Sequence, residues 1–292
     1  MHTVIGLGEL LWDIFEDCKV LGGAPANFAY HVHCLRQTGL PFSRVGSDEL
    51  GDELLASLSS HGLCTDFIQR DRQHPTGKVF VELDEEGVPA FEIQDDVAWD
   101  YMKVERRWLD AARGADAICF GTLCQRSEKS RKTIRRILEE GKDSIRVLDL
   151  NLRKNCFNRE IISGSLERCD ILKLNVYEYS TLQELYNRPC GEGEFAECLR
   201  NRHGMDLVCV THGEEGCRLY SNGGEVRGEA VEVDVADTVG AGDAFCAAMT
   251  VNYLRGENLQ KVADSANRLA AYVASHRGAM PHIPERIIEE IL

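Results

Sequence analysis

The sequence alternates short apolar runs with longer segments of helical periodicity, and this alternation constrains the fold most. The apolar runs are bounded by polar residues or glycine, as buried strands are. We predict strands at Thr3–Leu7, Ala117–Phe120, Arg146–Asp149, Ile171–Leu174 and Leu207–Thr211, and helices at Ala24–Arg36 and Asn258–His276. Because parallel strands need crossover connections, the pattern predicts an α/β protein with a central, mostly parallel sheet covered on both faces.

Residues 64–100 interrupt this alternation. Lys78–Leu83 and Pro89–Ile93 alternate like half-exposed strands, and Asp84–Gly87 supplies a turn between them. We predict an inserted antiparallel hairpin, to which Leu11–Val20 adds a further strand. The pattern alone leaves two interpretations open, a lid that excludes water from a cleft or an edge hairpin without a function.

The chain has 292 residues, enough for about two average domains or for one large α/β domain with an insertion. Its 33 lysine and arginine residues stand against 48 aspartate and glutamate residues, which gives a formal net charge of −15. A protein that binds nucleic acid needs a basic face to neutralise phosphates, so the composition disfavours this class. A locally basic site for an anionic small molecule is compatible with it.

The sequence shows no apolar run near the ~20 residues of a membrane span, and its first residues lack the pattern of a signal peptide. The 12 cysteines are scattered without a C-x-x-C pair. We therefore expect free thiols and a cytoplasmic protein. A zinc site at His31, His33 and Cys34 is the lesser alternative, because no second pair of ligands accompanies them; we interpret them as helix residues.

Two nucleotide-binding motifs fail on their spacing. A Walker phosphate loop needs G-x-x-x-x-G-K-[ST], but Gly77–Val79 lacks the final hydroxyl residue and Arg72 stands in place of the first glycine. A dinucleotide fingerprint needs a third glycine, where Gly6–Leu11 ends in leucine. The sequence therefore gives little support to NAD binding.

The strongest local pattern is DTVGAGDAF at Asp237–Phe245, which follows a strand-like Glu229–Val235 and opens a predicted helix through Ala244–Leu254. Glycines at such a junction let backbone amides approach an anion, and a helix N-terminus favours negative charge. A carboxylate there would repel phosphate, so Asp243 suits a general base for a nucleophile that attacks phosphorus. The alternative is an ordinary helix start stabilised by the helix dipole.

Polar residues also follow the other predicted strands, at the edge where open α/β sheets bind ligands. Gly22–Asn27 starts a helix, and with Asp13 upstream it can bind sugar hydroxyls or be an ordinary turn and cap. Arg153 could belong to the site or form a surface ion pair. The strand ends in question are Asp149–Arg153, Asn175–Glu178 and Thr211–Gly216.

Together these motifs resemble the ribokinase-like family of sugar kinases, also called the PfkB family, over essentially the whole chain. The N-terminal motifs are most similar to the bacterial fructokinase branch. The motifs in family order are Gly8–Asp13, Leu21–His31, Pro75–Gly77, Ala98–Asp100, Asp149–Arg153, Asn175–Glu178 and Asp237–Phe245. The resemblance implies a ribokinase-like three-layer α/β/α fold, as one kinase domain over residues 1–292 with a β-sheet lid from about 11–20 and 75–100.

The resemblance also implies ATP-dependent phosphorylation of a sugar hydroxyl with Mg²⁺, and it assigns roles to individual residues. The implied catalytic groups are the base Asp243 and an anion hole formed by the amides of Gly240, Ala241 and Gly242. The implied substrate ligands are Asp13, Gly23, Asn27, Arg126 and Arg153. The implied nucleotide neighbours are Asn175, Thr211, Gly213, Gly216, Gly242, Asn267 and Gly278–Ala279. The implied metal-site residues are Glu178 for Mg²⁺ through water, and the carbonyls near Asp237, Val239 and Ser275–Gly278 for K⁺.

The leading hypothesis is a cytoplasmic kinase that makes fructose 6-phosphate from fructose and ATP. The alternatives are a kinase for another sugar or nucleoside, such as ribose or a keto-sugar acid, and a non-catalytic sugar or nucleotide sensor. The sensor is less favoured, because binding alone would not require a base at Asp243. The expected partners are small molecules, and a second copy of the chain is a further candidate partner through the lid, because exposed edge strands pair readily.

Overall fold

The computed structural model describes residues 1–83, 89–153 and 155–292. The turn predicted at Asp84–Gly87 lies outside the described residues. The strands are β1 (Thr3–Leu7), β2 (Leu11–Ile14), β3 (Lys19–Gly22), β4 (Thr38–Gly46), β5 (Ile68–Asp71), β6 (Gly77–Leu83), β7 (Pro89–Ile93), β8 (Ala117–Phe120), β9 (Ile145–Asp149), β10 (Ile171–Asn175), β11 (Leu207–Thr211), β12 (Cys217–Ser221) and β13 (Gly224–Gly228). The α-helices are α1 (Ala24–Cys34), α2 (Glu49–Ser60), α3 (Arg106–Arg113), α4 (Glu128–Glu140), α5 (Arg159–Leu166), α6 (Val176–Tyr186), α7 (Glu192–His203), α8 (Ala241–Leu254), α9 (Leu259–Ala274) and α10 (Glu285–Ile291).

Within the described residues, nine strands form the large sheet in the order β13-β12-β11-β10-β9-β8-β1-β4-β5. Neighbouring strands from β11 to β5 are parallel, whereas β12 and β13 extend the sheet antiparallel. The predicted mostly parallel sheet is confirmed. All five predicted strands are present, with β9 starting one residue earlier and β10 ending one residue later than predicted.

Alternate residues of each strand point to opposite faces of the sheet, and both faces are buried. In β8, Ile118 and Phe120 belong to one core, and Ala117 and Cys119 belong to the other. Helices α3 to α7 cover the first face, and α1, α8, α9 and α10 cover the second. The predicted three-layer α/β/α architecture is therefore confirmed.

Strand β4 shows why the sequence pattern missed part of the sheet. It contains Pro41 and Arg44, and a proline or a charge argues against an interior strand. The buried Arg44 is neutralised by Asp71 at the end of β5, with a distance of 2.8 Å between Arg44 Nε and Asp71 Oδ2. This pairing depends on a residue 27 positions away, so local periodicity does not reveal it.

The inserted segment forms a separate sheet in the order β3-β2-β6-β7. The predicted hairpin is present as the antiparallel pair β6 and β7. The single strand predicted at Leu11–Val20 is wrong, because a turn closed by the Phe15 N–H and the Cys18 carbonyl oxygen (2.9 Å) divides it into β2 and β3. These two strands pair antiparallel, with Leu11 opposite Gly22.

The predicted strand at Glu229–Val235 is also wrong. This segment has no regular secondary structure and is mostly exposed. The backbone beyond it bonds to a helix, because the Ala236 N–H donates to the Ala274 carbonyl oxygen at the end of α9 over 2.9 Å. Helix α9 is capped by Asn258 as the sequence suggests, through a 3.0 Å hydrogen bond from the Lys261 N–H.

Of the helices in the described ranges, none combines the length and apolar character needed to cross a membrane. The 12 cysteines are free thiols, as predicted. His31, His33 and Cys34 lie on α1, which ends at Cys34 and is two residues shorter than predicted.

Candidate active site

The DTVGAGDAF segment forms the start of α8, three residues earlier than the sequence suggested. Its N-cap, Gly240, has a φ of 78°, and a Cβ added there would lie 2.6 Å from the Cα of Ala279. Only glycine therefore fits this turn. The first-turn amides of a helix have no intrahelical acceptors, and here the Ala241 N–H makes only a 3.3 Å contact with the Thr238 carbonyl oxygen. The turn thus offers donors and the positive end of the helix dipole to an anion.

Asp243 lies in this first turn, and Asn27 of α1 holds it. The Asn27 Nδ2 donates to the Asp243 Oδ2 over 2.8 Å. Burial and the nearby Asp149 carboxylate raise the pKa of Asp243 to about 7. The Asn27 amide, Lys173 and Arg153 act in the opposite direction. A carboxyl group with such a pKa exchanges a proton near neutral pH, as a general base must.

Lys173 brings a positive charge to this region, and sequence reasoning missed it. Its Nζ lies 3.0 Å from each carboxylate oxygen of Asp149 on the neighbouring strand. Burial acts to lower the pKa of this ammonium group, but Asp149 and Glu178 raise it above its usual range. A Cβ added at Gly242 would lie 3.2 Å from the Nζ, so the charge lies next to the start of α8. The signal in the sequence that could have identified this residue is a lysine inside an otherwise apolar predicted strand.

Glu178 and Asn175 form a capping box at the start of α6. The Asn175 Oδ1 accepts from the Glu178 N–H over 3.0 Å, and one Glu178 carboxylate oxygen accepts from the Asn175 N–H over 2.8 Å. The other Glu178 oxygen accepts from the Leu152 N–H over 2.8 Å, which ties the DLNLR loop to α6. Burial raises the pKa of Glu178, and Lys173 acts to lower it. Each oxygen keeps a second lone pair for a further donor.

Three predicted sugar ligands lie near one another around the end of β1. Asp13 on β2 faces Gly22, where an added Cβ would lie 2.4 Å from the Asp13 Oδ2. Burial raises the pKa of Asp13 to about 6, and Arg153 acts to lower it. Gly23 has a φ of 114° and packs on the backbone of Glu9, with 2.6 Å from an added Cβ to the Glu9 carbonyl oxygen. Asn27 follows one turn later, although its amide already binds Asp243.

The two predicted arginines differ in their surroundings. The Arg126 guanidinium makes a bidentate pair with Asp100, at 2.9 and 2.8 Å, and donates to the Gln94 carbonyl oxygen over 2.6 Å. It also lies 4.0 Å from the centroid of the Trp99 ring. Arg126 therefore connects the end of β8 to the segment that follows the small sheet. Arg153 is exposed, yet its charge acts on the buried acids of the site.

The predicted nucleotide neighbours lie around the carboxyl ends of β10 and β11. Gly213 and Gly216 have φ values of 61° and 86°, and a Cβ at Gly216 would lie 2.1 Å from the Gly228 carbonyl oxygen. Thr211 ends β11 directly before them. Asn267 on α9 donates to the Glu229 carbonyl oxygen over 3.0 Å, which fixes the chain beyond β13.

The loop before α8 and the loop after α9 are joined by Asp237. One Asp237 oxygen accepts from the Val239 N–H and the other accepts from the Gly278 N–H, each over 3.0 Å. The next carbonyl, that of Ala279, lies 2.9 Å from the Nε2 of the fully buried His31. The structure thus brings together the two segments named for a monovalent cation.

A small cleft lies at the carboxyl ends of the central strands, between the start of α1 and the start of α8. Asp243, Asp149 and Glu9 line it, together with Pro25, Phe28 and Thr122. The sequence motifs at the ends of β1, β8, β9 and α1 therefore meet at one place. Glu9 belongs to the Gly8–Asp13 motif, and its burial cannot be read from the sequence.

The chain matches the model described as pfkB family carbohydrate kinase over residues 9–286. An uncharacterized sugar kinase of Pyrococcus horikoshii is 32% identical over 303 residues, which cover 96% of this chain and 93% of that protein. The fructokinase of Vibrio alginolyticus is 26% identical over 305 residues, which cover 97% of this chain and 96% of that protein.

The fold comparison agrees with the sequence comparison. The crystal structure of the Pyrococcus horikoshii sugar kinase in complex with ATP has a TM-score of 0.85 and 29% identity, covering 99% of this chain and 100% of that one. The match extends from the first glycine motif to the last helix. This chain is therefore a sugar kinase that belongs to the pfkB family of carbohydrate kinases.

Proposed function

We propose that the protein transfers the γ-phosphoryl group of ATP to a hydroxyl of a sugar, with fructose as the substrate and fructose 6-phosphate as the product. The observation that carries this proposal is Asp243, a carboxyl group of raised pKa in the first turn of α8 and at the wall of the cleft. A base beside an anion-binding helix start is what a hydroxyl attacking phosphorus requires.

In this mechanism Asp243 accepts the proton of the sugar hydroxyl while the hydroxyl oxygen forms a bond to the γ-phosphorus. The bond between that phosphorus and the oxygen bridging to the β-phosphate breaks, and ADP leaves. The amides of Gly240, Ala241 and Gly242 stabilise the charge on the transferring group. A general base contributes roughly 10²–10⁴ in rate, and each preorganised donor contributes about 3–4 kcal/mol.

The residues at the start of α8 fit a nucleotide with its metal. Lys173 is close enough to Gly242 to face phosphate oxygens, and the Pyrococcus horikoshii relative contains ATP in its crystal structure. Glu178 keeps lone pairs for waters of a Mg²⁺ shell, and Mg²⁺ would neutralise phosphate charge when bound. We place the nucleotide against Asn175, Thr211, Gly213, Gly216 and Asn267, and K⁺ near Asp237 and Val239.

The sugar is proposed to lie at the opposite side of Asp243, against Asp13, Gly23 and Asn27. The similarity to the Vibrio alginolyticus fructokinase favours fructose over ribose, a keto-sugar acid or a nucleoside. We propose that Arg153 lies at the mouth of the site and that Arg126 lies near it, and the bond between Arg126 and Asp100 supports the second position.

The small sheet is proposed to be a lid that excludes water from the transfer, within a single kinase domain over residues 1–292. The lid segments are then about 11–20 and 75–100. Its edge strands β3 and β7 are available for pairing with a second copy of the chain.

Release of ADP from Mg·ATP tests the proposal across fructose, ribose, mannose, glucose, keto-sugar acids and nucleosides, with and without K⁺. We expect release with fructose and its loss in Asp243→Ala, which should still bind ATP. Release with another sugar instead would keep the mechanism and correct the substrate. ATP binding without release on any acceptor, or normal turnover by Asp243→Ala, would contradict the mechanism.

A further inference from the structure

Three arginines meet on the surface of the helical layer formed by α3 to α7, away from the proposed active site. Arg131 and Arg135 lie one turn apart on α4, and Arg168 follows the end of α5. The Nη2 atoms of Arg131 and Arg135 are each 3.8 Å from the same carboxylate oxygen of Glu160 on α5. The described residues that line the cleft include none of the three. We call Arg131, Arg135 and Arg168 the arginine cluster.

Arg135 and Arg168 are held side by side over Gly164, which lies inside α5. A Cβ added at Gly164 would lie 2.8 Å from the Arg135 Nη2 and 3.7 Å from the Arg168 Nη1. Glycine destabilises the interior of a helix, and here the missing side chain leaves room for both guanidinium groups. The Arg168 Nη1 also donates to the Gly164 carbonyl oxygen over 2.8 Å, which fixes its position.

The positive charge of the arginine cluster exceeds the negative charge next to it. Glu160 is shared by two arginines from beyond hydrogen-bonding distance, and its side chain is 67% exposed. Arg168 has a 3.6 Å contact with Glu167, whose side chain is 63% exposed. Ion pairs with such exposed carboxylates stabilise little. The cluster therefore has a surplus of charge that these two acids neutralise poorly.

Two other cations of α4 show what full pairing looks like on this helix. The Lys132 Nζ lies 2.7 Å from a carboxylate oxygen of Glu128, and the Arg136 Nη2 lies 2.6 Å from one of Glu140. Each acid is one turn away on α4, which is the ordinary spacing for an ion pair on a helix. The arginine cluster has no such local partners among the described residues.

The cluster is also less exposed than an ordinary surface arginine. The Arg131 side chain is 14% exposed, and the Nε of Arg135 is enclosed by protein with no described residue accepting its hydrogen bond. Nearly all buried polar side-chain atoms in folded proteins have a partner. Guanidinium groups that are partly desolvated and short of acceptors point to a ligand that supplies acceptor oxygens and negative charge.

We propose that the arginine cluster binds the phosphate group of a small molecule, at a site separate from the cleft. A guanidinium group presents parallel N–H donors that match the oxygens of a phosphate. A phosphate group carries nearly two negative charges near neutral pH, which suits the charge surplus better than the single charge of a carboxylate. Its oxygens would lie between α4 and α5, where Glu160 now faces two arginines. This site is independent of the proposed kinase function, because the mechanism uses none of these arginines.

Thermal unfolding with inorganic phosphate tests the ligand class. At constant ionic strength, about 10 mM phosphate should raise the Tm of the unaltered protein by about 2 °C relative to chloride. Acetate at the same concentration should give less than half of that rise, because it carries one charge. No rise with phosphate, or an equal rise with acetate, would overturn the proposal.

A pair of double variants assigns the effect to the arginine cluster. Arg131→Gln with Arg135→Gln removes two guanidinium groups, and we expect it to lose more than half of the rise that phosphate causes. Lys132→Gln with Arg136→Gln removes the same charge from the same helix and should keep the rise. Phosphate bound in the cleft would stabilise both double variants alike, and a general charge effect would weaken both alike. Either of these results would overturn the site.

Glu160→Gln keeps the proposal testable if the arginine variant fails to fold. Its side chain is mostly exposed, so the substitution should leave the fold intact while it removes the carboxylate that competes with phosphate. Titration calorimetry with inorganic phosphate should then give a Kd at least about threefold lower than that of the unaltered protein. An unchanged or higher Kd would contradict a phosphate site at the cluster.

Discussion

At the scale of single residues, the site depends on the contact between Asn27 and Asp243. Asn27 was predicted from its motif to bind the sugar, and in the structure its amide donates to the proposed base over 2.8 Å. A donor to a carboxylate stabilises the charged form and lowers its pKa. Asn27 therefore affects the protonation of Asp243. The side-chain oxygen of Asn27 can also bind a sugar hydroxyl.

The pH dependence of kcat/KM tests this contact. Asp243 must be deprotonated to act as a base, so kcat/KM should fall as the pH drops below about 7. Asn27→Ala removes a donor that lowers this pKa, and the acidic limb should move to higher pH by about one unit. His33→Ala, an exposed change on the same helix, is the control and should leave the limb in place. An unshifted limb in Asn27→Ala would contradict the role of this hydrogen bond.

At the scale of elements, β9 and β10 are connected by charge as well as by backbone hydrogen bonds. Asp149 and Lys173 are register partners on these parallel strands, and both are buried. A buried ion pair stabilises little compared with apolar residues, but removing one partner leaves an uncompensated charge. The pair therefore places charge at the site while making the two strands depend on each other.

A double-mutant cycle on this pair gives a stability prediction. Lys173→Met should lower the free energy of unfolding by about 3–5 kcal/mol, because Asp149 then lacks its cation. The double variant Lys173→Met with Asp149→Leu should recover most of that loss, although it should be inactive. Urea unfolding measures both. A cost below about 1 kcal/mol for the single variant, the value of a surface pair, would refute the coupling.

At the scale of the whole molecule, the acids of the site oppose folding at neutral pH. Asp13 and Asp243 have pKa values of about 6 and about 7, above those of an unfolded chain. The folded protein therefore binds more protons than the unfolded chain, and its free energy of unfolding falls as the pH rises through those values. Burial lowers the pKa of His31 to about 4. His31 therefore reduces the free energy of unfolding as the pH falls below about 6.5. Stability should therefore rise as the pH falls from about 8 to 6.5.

Unfolding of the ligand-free protein at two pH values checks this balance. Asp243→Asn removes the group with the higher of those two pKa values, so the variant should be more stable than the unaltered protein at pH 8 and the difference should shrink toward pH 6. The expected direction is a gain in stability with a loss of activity. A variant that is less stable at pH 8, or a difference that does not change with pH, would contradict the assigned pKa.

Sequence patterns were sufficient to predict the α/β class, the five central strands, the inserted hairpin and the family. These features depend on local hydrophobic periodicity and on glycine motifs whose residues lie close together in the sequence. The sequence also placed Asp243 at a helix start, because the turn before α8 requires glycine at a positive φ. Local rules decide such features, so they can be read without the fold.

The contacts between side chains, in contrast, can be seen only in the folded chain. The pairing of Arg44 with Asp71, of Lys173 with Asp149 and of Asn27 with Asp243 depends on strands and helices that come from distant parts of the chain. The strand predicted at Glu229–Val235 is absent, because this segment follows β13, which is the edge strand of the large sheet. The burial of Glu9 is of the same kind. Burial and charge pairing are properties of the assembled chain, because they depend on distances between residues far apart in sequence.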